Sequence, residues 1–429
     1  MKIFKKVFYF LFVFLLVFAF AGCTKKKADE NSGNETKTPT EQVPVNPTEP
    51  EKKGISFTIN VYDIDGEELG SKVIEKDADF DGSSKGAFLQ VLKDNFTVVS
   101  YNSDWGTSLV SINGSVVDPY YYLSILENNE YSMVGVDDLV IDDGDVFDFK
   151  VVTWQTYDET DLLVDQVVYS FFKSGNINTL FPEAGFSYPL LAALNKFAKS
   201  GSYDEAIVNL DLDNRAAYEE LYKADFSTEA TVSPLLKAAL AKEAFGFNND
   251  TIATGLNGLD SGALNSLYYA PYYLMACSLN GTDPSNDVLG YYENLLDYET
   301  PCDSVLLALQ AYALYQDEFE NYETKVATVL EKQKSAISEK GFNDEWGGIN
   351  CASAAQLVLT LLSLELNPRD YEGFDIVKAL LAFEKDGNFV YQEGAEEADL
   401  MFSTPQALAA LLAYKLSRDT FSSVNIYTK

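Results

Sequence analysis

Residues 402–416, FSTPQALAALLAYKL, constrain the fold more than any other stretch of the chain. No charge occurs from Thr404 to Tyr414, so a helix there is apolar nearly all round and has to be covered on both sides. Ser403 and Gln406 have the S-x-x-Q spacing of a capping box, and Pro405 falls in the first turn, where a missing N–H costs nothing. A chain with one such inner helix needs neighbours of the same kind. Similar starts lie near Ser187, Ser233, Ser266, Asp303 and Ala352, so that with Thr404 successive starts are 33 to 52 residues apart, the spacing of a helical-hairpin repeat. Pro189, Pro234, Pro271 and Pro405 mark four of them. Between them run more polar segments suited to an outer layer, at residues 162–172, 216–222, 286–296, 318–332 and 372–383, with a weak partner at 249–259. The pattern predicts an all-α (α/α)6 toroid over residues 161–429, with an open solenoid as the alternative.

The preceding part has a different period. Ile55, Phe57, Ile59 and Val61 alternate with polar residues, as in a half-buried strand. KGAFLQVLK, from Lys85, reads as a short amphipathic helix, and further strands are expected around 96–101, 108–112, 120–126, 131–134 and 146–152. Asn113-Gly114, Asn128-Asn129 and Asp142 to Asp145 supply the turns. This predicts a small α+β domain over residues 54–154. Asp77, Asp79, Asp81 and Gly82 copy the front of a calcium loop, but Phe88 stands where its last carboxylate belongs, so solvated turn chemistry is expected there.

Lys2, Lys5 and Lys6 precede an apolar run from Val7 to Ala21, the layout of a secretory signal over residues 1–22. Cys23, directly after Ala21-Gly22, resembles the lipobox of bacterial lipoproteins. That implies cleavage before Cys23 and a diacylglyceryl group on its sulfur, with an uncleaved anchor as the alternative. Residues 23–53 are polar and carry several prolines, as in a disordered tether. The expected location is the extracytoplasmic face of the cell membrane, with the membrane reached through the N-terminal lipid. A net charge of −35 argues against nucleic acid as a partner. The absence of histidine removes His-based metal sites and Ser-His or Cys-His nucleophiles. Cys277, Cys302 and Cys351 form no paired motif and are expected as buried thiols.

The α+β part resembles the small β domain of the transcobalamin and intrinsic-factor type of vitamin B12 carriers. The resemblance rests on the helix at Lys85, the Val110-Ser111-Ile112-Asn113-Gly114 hairpin, Tyr120-Tyr121-Tyr122, Asn128-Asn129 and Asp143-Gly144-Asp145. The helical part resembles the superfamily of terpene cyclases, protein prenyltransferases, complement thioester domains and the α domain of B12 carriers. It lacks the cyclase D-x-D-D, the prenyltransferase histidine and the thioester Cys-Gly-Glu-Gln. Pro301-Cys302-Asp303-Ser304-Val305, Ser353-Ala354-Ala355-Gln356 and Ser403-Thr404-Pro405-Gln406 are similar to inner-helix starts of the carrier α domain, where an Asp and Gln side chains hydrogen-bond the corrin amides. The resemblance thereby implies that role for Asp303, Gln356 and Gln406. The domain order is reversed relative to the animal carriers, and their cobalt-coordinating histidine has no counterpart. From the residues alone, Asp303 also suits an N-cap, Gln356 and Gln406 suit capping boxes, and Tyr268, Tyr269, Tyr272 and Tyr273 suit core packing.

Helix starts gathered at one rim would present unpaired N–H groups and positive dipole ends, which favour a ligand rich in amide, carbonyl and phosphate oxygens. The candidate ligand contacts are Asp303, Gln356 and Gln406 with Tyr188, Tyr269 and Trp346 at the rim, and Trp105, Tyr121 and Tyr122 from a β domain closing over it. The expectation is a lipid-anchored binding protein, not an enzyme, with neither catalytic cofactor nor metal. It would capture cobalamin or a related corrinoid between its domains and pass it to a membrane importer. A surface adhesion or protein-interaction module with the toroid as scaffold is the alternative. A polysaccharide lyase or hydrolase would need a catalytic partner for Asp303 that the sequence does not offer.

Overall fold

The computed structural model describes residues 53–103, 106–115, 121–153, 155, 157–174, 187–200, 232–245 and 250–429. Cys23, the expected signal and tether, Trp105 and the expected outer segment 216–222 lie outside the described residues. The described part is an N-terminal α+β region followed by a helix-rich region.

In the first region β1 (Ile55–Tyr62) buries Phe57, Ile59 and Val61, as its alternation requires. Then come β2 (Glu68–Lys76), α1 (Ala87–Asn95), β3 (Val98–Ser103), β4 (Gly106–Ile112), β5 (Tyr121–Glu127), β6 (Glu130–Tyr131) and β7 (Val146–Thr153). The main sheet has the order β2-β1-β7-β5-β6, with β1 and β7 parallel and the other pairs antiparallel. Helix α1 lays Phe88, Val91 and Leu92 on this sheet, and the Phe88 ring is 4.5 Å from that of Phe147. Asn128 and Asn129 both have positive φ, 53° and 68°, which suits the two-residue turn between β5 and β6. Asp81 receives the hydroxyls of Ser83 and Ser84, so it serves its own turn.

The second region contains α2 (Glu159–Ser174), α3 (Tyr188–Lys199), α4 (Val232–Phe245), α5 (Asp250–Asn257), α6 (Ser261–Leu264), α7 (Tyr269–Asn280), α8 (Asn286–Leu295), α9 (Asp303–Ala313) and α10 (Tyr322–Gln333). The short strands β8 (Ile337–Ser338), β9 (Gly341–Asp344) and β10 (Gly348–Ile349) lead into α11 (Cys351–Ser363). After α12 (Ile376–Leu381), the two-residue strands β11 (Glu384–Lys385) and β12 (Asn388–Phe389) precede α13 (Ser403–Thr420). The six apolar helices are α3, α4, α7, α9, α11 and α13, one at each expected start. Each packs on the next in that order, and α13 packs back on α3. Their shared core is the large apolar cluster of the molecule. Among the described residues, α2, α5, α8, α10 and α12 alternate with them in sequence and carry more exposed faces. The expected outer segment 372–383 shortens to α12 because Asp375 caps it, accepting the Lys378 N–H.

The capping box expected at Ser403 and Gln406 is replaced by another device. Asp399 accepts the N–H groups of Met401, Phe402 and Ser403 and the Ser403 hydroxyl, which frees Gln406 for a different partner. After α13 the chain turns at Phe421, φ 51°, and the tail buries Val424, Ile426 and Tyr427. Asn425 donates to the Gln310 carbonyl near the C-terminal end of α9, and Lys196 near the end of α3 donates to the Thr428 carbonyl, so the tail lies at the C-terminal ends of the inner helices. Cys277, Cys302 and Cys351 are buried free thiols, and burial pushes Cys277 up to about 12 and Cys302 up to about 11. No helix among the described residues is long and apolar enough to cross a membrane.

Candidate binding rim at the inner-helix starts

Asp303 is the first residue of α9 and does not act as its cap. Its backbone N–H donates to Asp344 Oδ1 at 3.0 Å, while its own carboxylate is met by Ser304, through the hydroxyl at 3.4 Å and the backbone N–H. Burial first, and then the charge of Asp344, raise the Asp303 carboxyl above the ordinary range. Asp344 Oδ2 also accepts the N–H groups of Trp346 (2.9 Å) and Gly347 (2.8 Å), so one buried carboxylate fixes the loop between β9 and β10. That loop holds Trp346 at 67% exposure, 6.4 Å from the Tyr298 ring. Gly347 leaves room for its neighbours: a Cβ there would meet the Tyr391 hydroxyl at 2.6 Å and Asn350 Nδ2 at 2.7 Å and would force those side chains to shift. Burial, followed by the charges of Asp344, Asp303 and Asp399, pushes the Tyr391 hydroxyl up, which sets all four groups in one neighbourhood.

The glutamines form a chain across three neighbouring inner helices. Gln310 Nε2 of α9 donates to Gln356 Oε1 of α11 at 2.8 Å, and Gln356 Nε2 donates to Gln406 Oε1 of α13 at 3.0 Å. Thr360 braces the chain by donating to the carbonyls of Gln356 and Leu306. The direction of the chain leaves Gln406 Nε2 as its terminal donor, on a half-buried residue. The capping-box reading of both glutamines therefore gives way to an amide relay.

The tyrosines sort by helical phase. Tyr272 of α7 lies 6.4 Å, ring to ring, from Tyr188 of α3, although α4 stands between those helices in the packing order, and 5.6 Å from Tyr268. Burial, Tyr268 and then Asp303 push the Tyr272 hydroxyl up. Tyr269 and Tyr272 are both half-buried and pack against the apolar core, and the 57% exposed Tyr268 lies beside both. The structure thus sets Asp303 and Trp346 with Asp344 and Tyr391, and Tyr188 with Tyr272 and Tyr268, while Gln356 and Gln406 meet each other. Asp344 carries no motif; only its place just before the Trp-Gly-Gly loop could have singled it out.

The helix ends themselves differ from the expectation. Ser187 caps α3, Gln333 receives the Cys302 N–H, Asn350 caps α11 and Asp399 caps α13. Side chains of the protein already occupy these donors, and the rim presents carboxylates where free N–H groups were expected.

Of the β-region candidates, Tyr121 and Tyr122 are described. Tyr121 is 6% exposed and donates to Asp165 of α2, so its hydroxyl serves the junction of the two regions. Tyr122 is half-buried within the main sheet, opposite Val152. Around Asp165 sits a polar cluster that sequence reasoning missed. Asp165 meets Lys415 Nζ at 2.8 Å and Arg418 at 2.6 Å, and Asp419 meets the same two cations. Tyr157 donates to Asp419 and lies under the Arg418 guanidinium. Arg369 joins Asp158, Asp161 and Asp375. The signal was present: Lys415, Arg418 and Asp419 interrupt an otherwise neutral inner helix, and Asp158, Asp161 and Asp165 recur at helical spacing.

Among the described residues there is no group of three acidic, Cys or His side chains placed to hold a metal ion. No family model matches the chain, and no curated protein matches it. A solved structure of a "putative metal binding protein" from Ruminococcus gnavus aligns over 24% of this chain and 99% of its own, at 19% identity and a TM-score of 0.20.

Proposed function

We propose that the chain is a non-catalytic binding protein whose ligand sits on the rim of an (α/α)6 toroid. The cyclic packing order of the six apolar helices supports the toroid. The observation that carries the binding reading is Asp303: a half-buried carboxylate that meets no cation among the described residues and whose charge acts on Tyr272 and Tyr391. Desolvating a carboxylate beside a second one is unfavourable unless something compensates, and a bound ligand would do so. Flat apolar surface at Trp346 and Tyr268 suits a large ring system. A corrinoid, with its planar macrocycle and amide side chains, fits this combination, and the lipoprotein-like N-terminus suits capture outside the cell for a membrane importer.

Titration of the purified full chain with cyanocobalamin and with cobinamide, followed by calorimetry and thermal melting, tests the reading. A saturable one-to-one signal with a raised melting temperature is expected, lost in Asp303→Ala and Gln406→Ala. Absence of any shift at large excess of both would overturn the corrinoid assignment.

One observation favours the interaction-module reading. Tyr427 is fully buried, and Tyr272 is among the groups acting on it, so large side chains meet inside the helix ring. A ligand is therefore expected on the rim and not within the bore.

A further inference from the structure

Two neighbouring loops before inner helices carry large apolar side chains out into solvent. Trp346 stands between β9 and β10, and Leu400, Met401 and Phe402 precede α13; Met401 is 65% and Phe402 62% exposed. Tyr391, also exposed, joins the loops: its carbonyl accepts the Cys351 N–H at 3.0 Å, and its neighbour Gln392 donates to the Gly347 carbonyl at 3.4 Å. Asp399 closes the other side. Its N–H donates to the Phe389 carbonyl, two residues before Tyr391, while its carboxylate accepts the N–H groups of Met401 and Phe402. One aspartate thus fixes each loop in advance, Asp344 at Trp346 and Asp399 at Met401 and Phe402. Single exposed apolar residues are ordinary, but Trp, Tyr, Met and Phe held together on braced loops have the composition of an interface centre and lose little entropy on docking.

The border of this apolar surface is acidic. Glu345, Glu393, Glu396 and Glu397 are exposed on the same two loops. Lys340 meets Glu393 and Lys385 reaches the Glu396 carbonyl, while the carboxylates of Glu345, Glu396 and Glu397 form no ion pair among the described residues. At a net charge of −35, a second copy of the chain, a nucleic acid or an anionic membrane is repelled, whereas a polypeptide with Lys or Arg around apolar anchors is complementary. We propose that this surface docks a basic amphipathic polypeptide segment, which sets apolar side chains among Trp346, Tyr391, Met401 and Phe402 and its cations against the surrounding glutamates. The docking surface shares Trp346 with the proposed ligand rim and draws on neither Asp303 nor the glutamine relay.

Three labelled peptides test this by fluorescence anisotropy with the full chain: one of Leu and Lys at amphipathic helical spacing, one with Glu in place of every Lys, and one with Ser in place of every Leu. The Leu/Lys peptide should bind saturably, the Leu/Glu peptide should not bind, and the Ser/Lys peptide should bind at least about tenfold more weakly. Trp346→Ala combined with Phe402→Ala, both on exposed side chains, should weaken the Leu/Lys peptide about tenfold. Met133→Ala, at a 95% exposed residue of the β-region, should leave binding unchanged. Equal binding of the Ser/Lys peptide would mean attraction by net charge alone and would overturn the proposal. So would binding of the Leu/Glu peptide, absence of saturable binding, or indifference to the double variant. Cobinamide binding by a chain that ignores the Leu/Lys peptide would sink the docking proposal alone, and peptide docking by a chain that ignores both corrinoids would sink the corrinoid assignment alone.

Discussion

Aspartates are buried among aromatic rings in two parts of the helical region, and their surroundings differ in one respect. At the junction, Asp165 and Asp419 share Lys415 and Arg418, and Tyr121 and Tyr157 supply further donors. At the rim, Asp303 faces Asp344, Tyr272 and Tyr391 and meets no cation among the described residues. The first arrangement is complete within the chain and holds the β-region to α2 and α13. The second lacks a cation among the described residues, and that difference is the ground on which the rim is proposed to bind a ligand.

The largest expected effect comes from breaking the complete side. Asp165→Ala leaves Lys415, 2% exposed, with one carboxylate fewer and removes the acceptor of Tyr121; a loss of about 3–5 kcal/mol in urea denaturation is predicted. Gln356→Ala cuts the amide relay and removes the shortest of the hydrogen bonds from the fully buried Gln310 Nε2, which keeps Thr360 Oγ1 at 3.2 Å; about 1 kcal/mol is lost by the same measurement.

Acid then separates the two aspartate groups by sign. Burial alone would raise Asp419, but Lys415 and Arg418 carry it below its ordinary value, and the Arg369 hydrogen bond lowers Asp158. Their stabilisation is present above the usual carboxylate range and is lost as pH falls through the lowered folded values. Asp303 is raised, so its ionised form opposes folding and that cost is relieved as pH falls through its raised value. Urea midpoints followed from neutral pH downward should therefore decline less in Asp419→Asn than in the parent. Asp303→Asn should start slightly more stable at neutral pH and lack the relief. The smallest effect is expected from Tyr427→Phe, which removes a buried hydroxyl without a partner and should be neutral or slightly stabilising in thermal melts.

Much of the architecture was legible because burial imposes period. The recurring apolar helix starts, four of them marked by proline, located all six apolar helices, and the alternation in residues 55–61 located β1. What escaped depends on partners distant in sequence. Ser403 and Gln406 have capping-box spacing, yet Asp399 captures the helix start and Gln406 turns to Gln356, 50 residues away. Tyr268, Tyr269, Tyr272 and Tyr273 are alike as letters, and only the position on α7 decides that Tyr273 is fully buried while Tyr268 is exposed. Tyr121 was expected as a ligand contact, and nothing local announces that its hydroxyl meets Asp165. The helix-end argument failed for the same reason, since caps arriving from Gln333 and Asp399 consume the donors it counted.

The rim's role is tested most directly at Trp346. In a chain carrying Trp105→Phe and Trp154→Phe, Trp346 is the sole remaining tryptophan, and its emission reports on the rim alone. Titration with cobinamide should quench it saturably, with a one-to-one endpoint that disappears when Asp303→Asn and Gln406→Ala are combined. Calorimetric binding that leaves Trp346 emission untouched would place the ligand elsewhere and contradict the account.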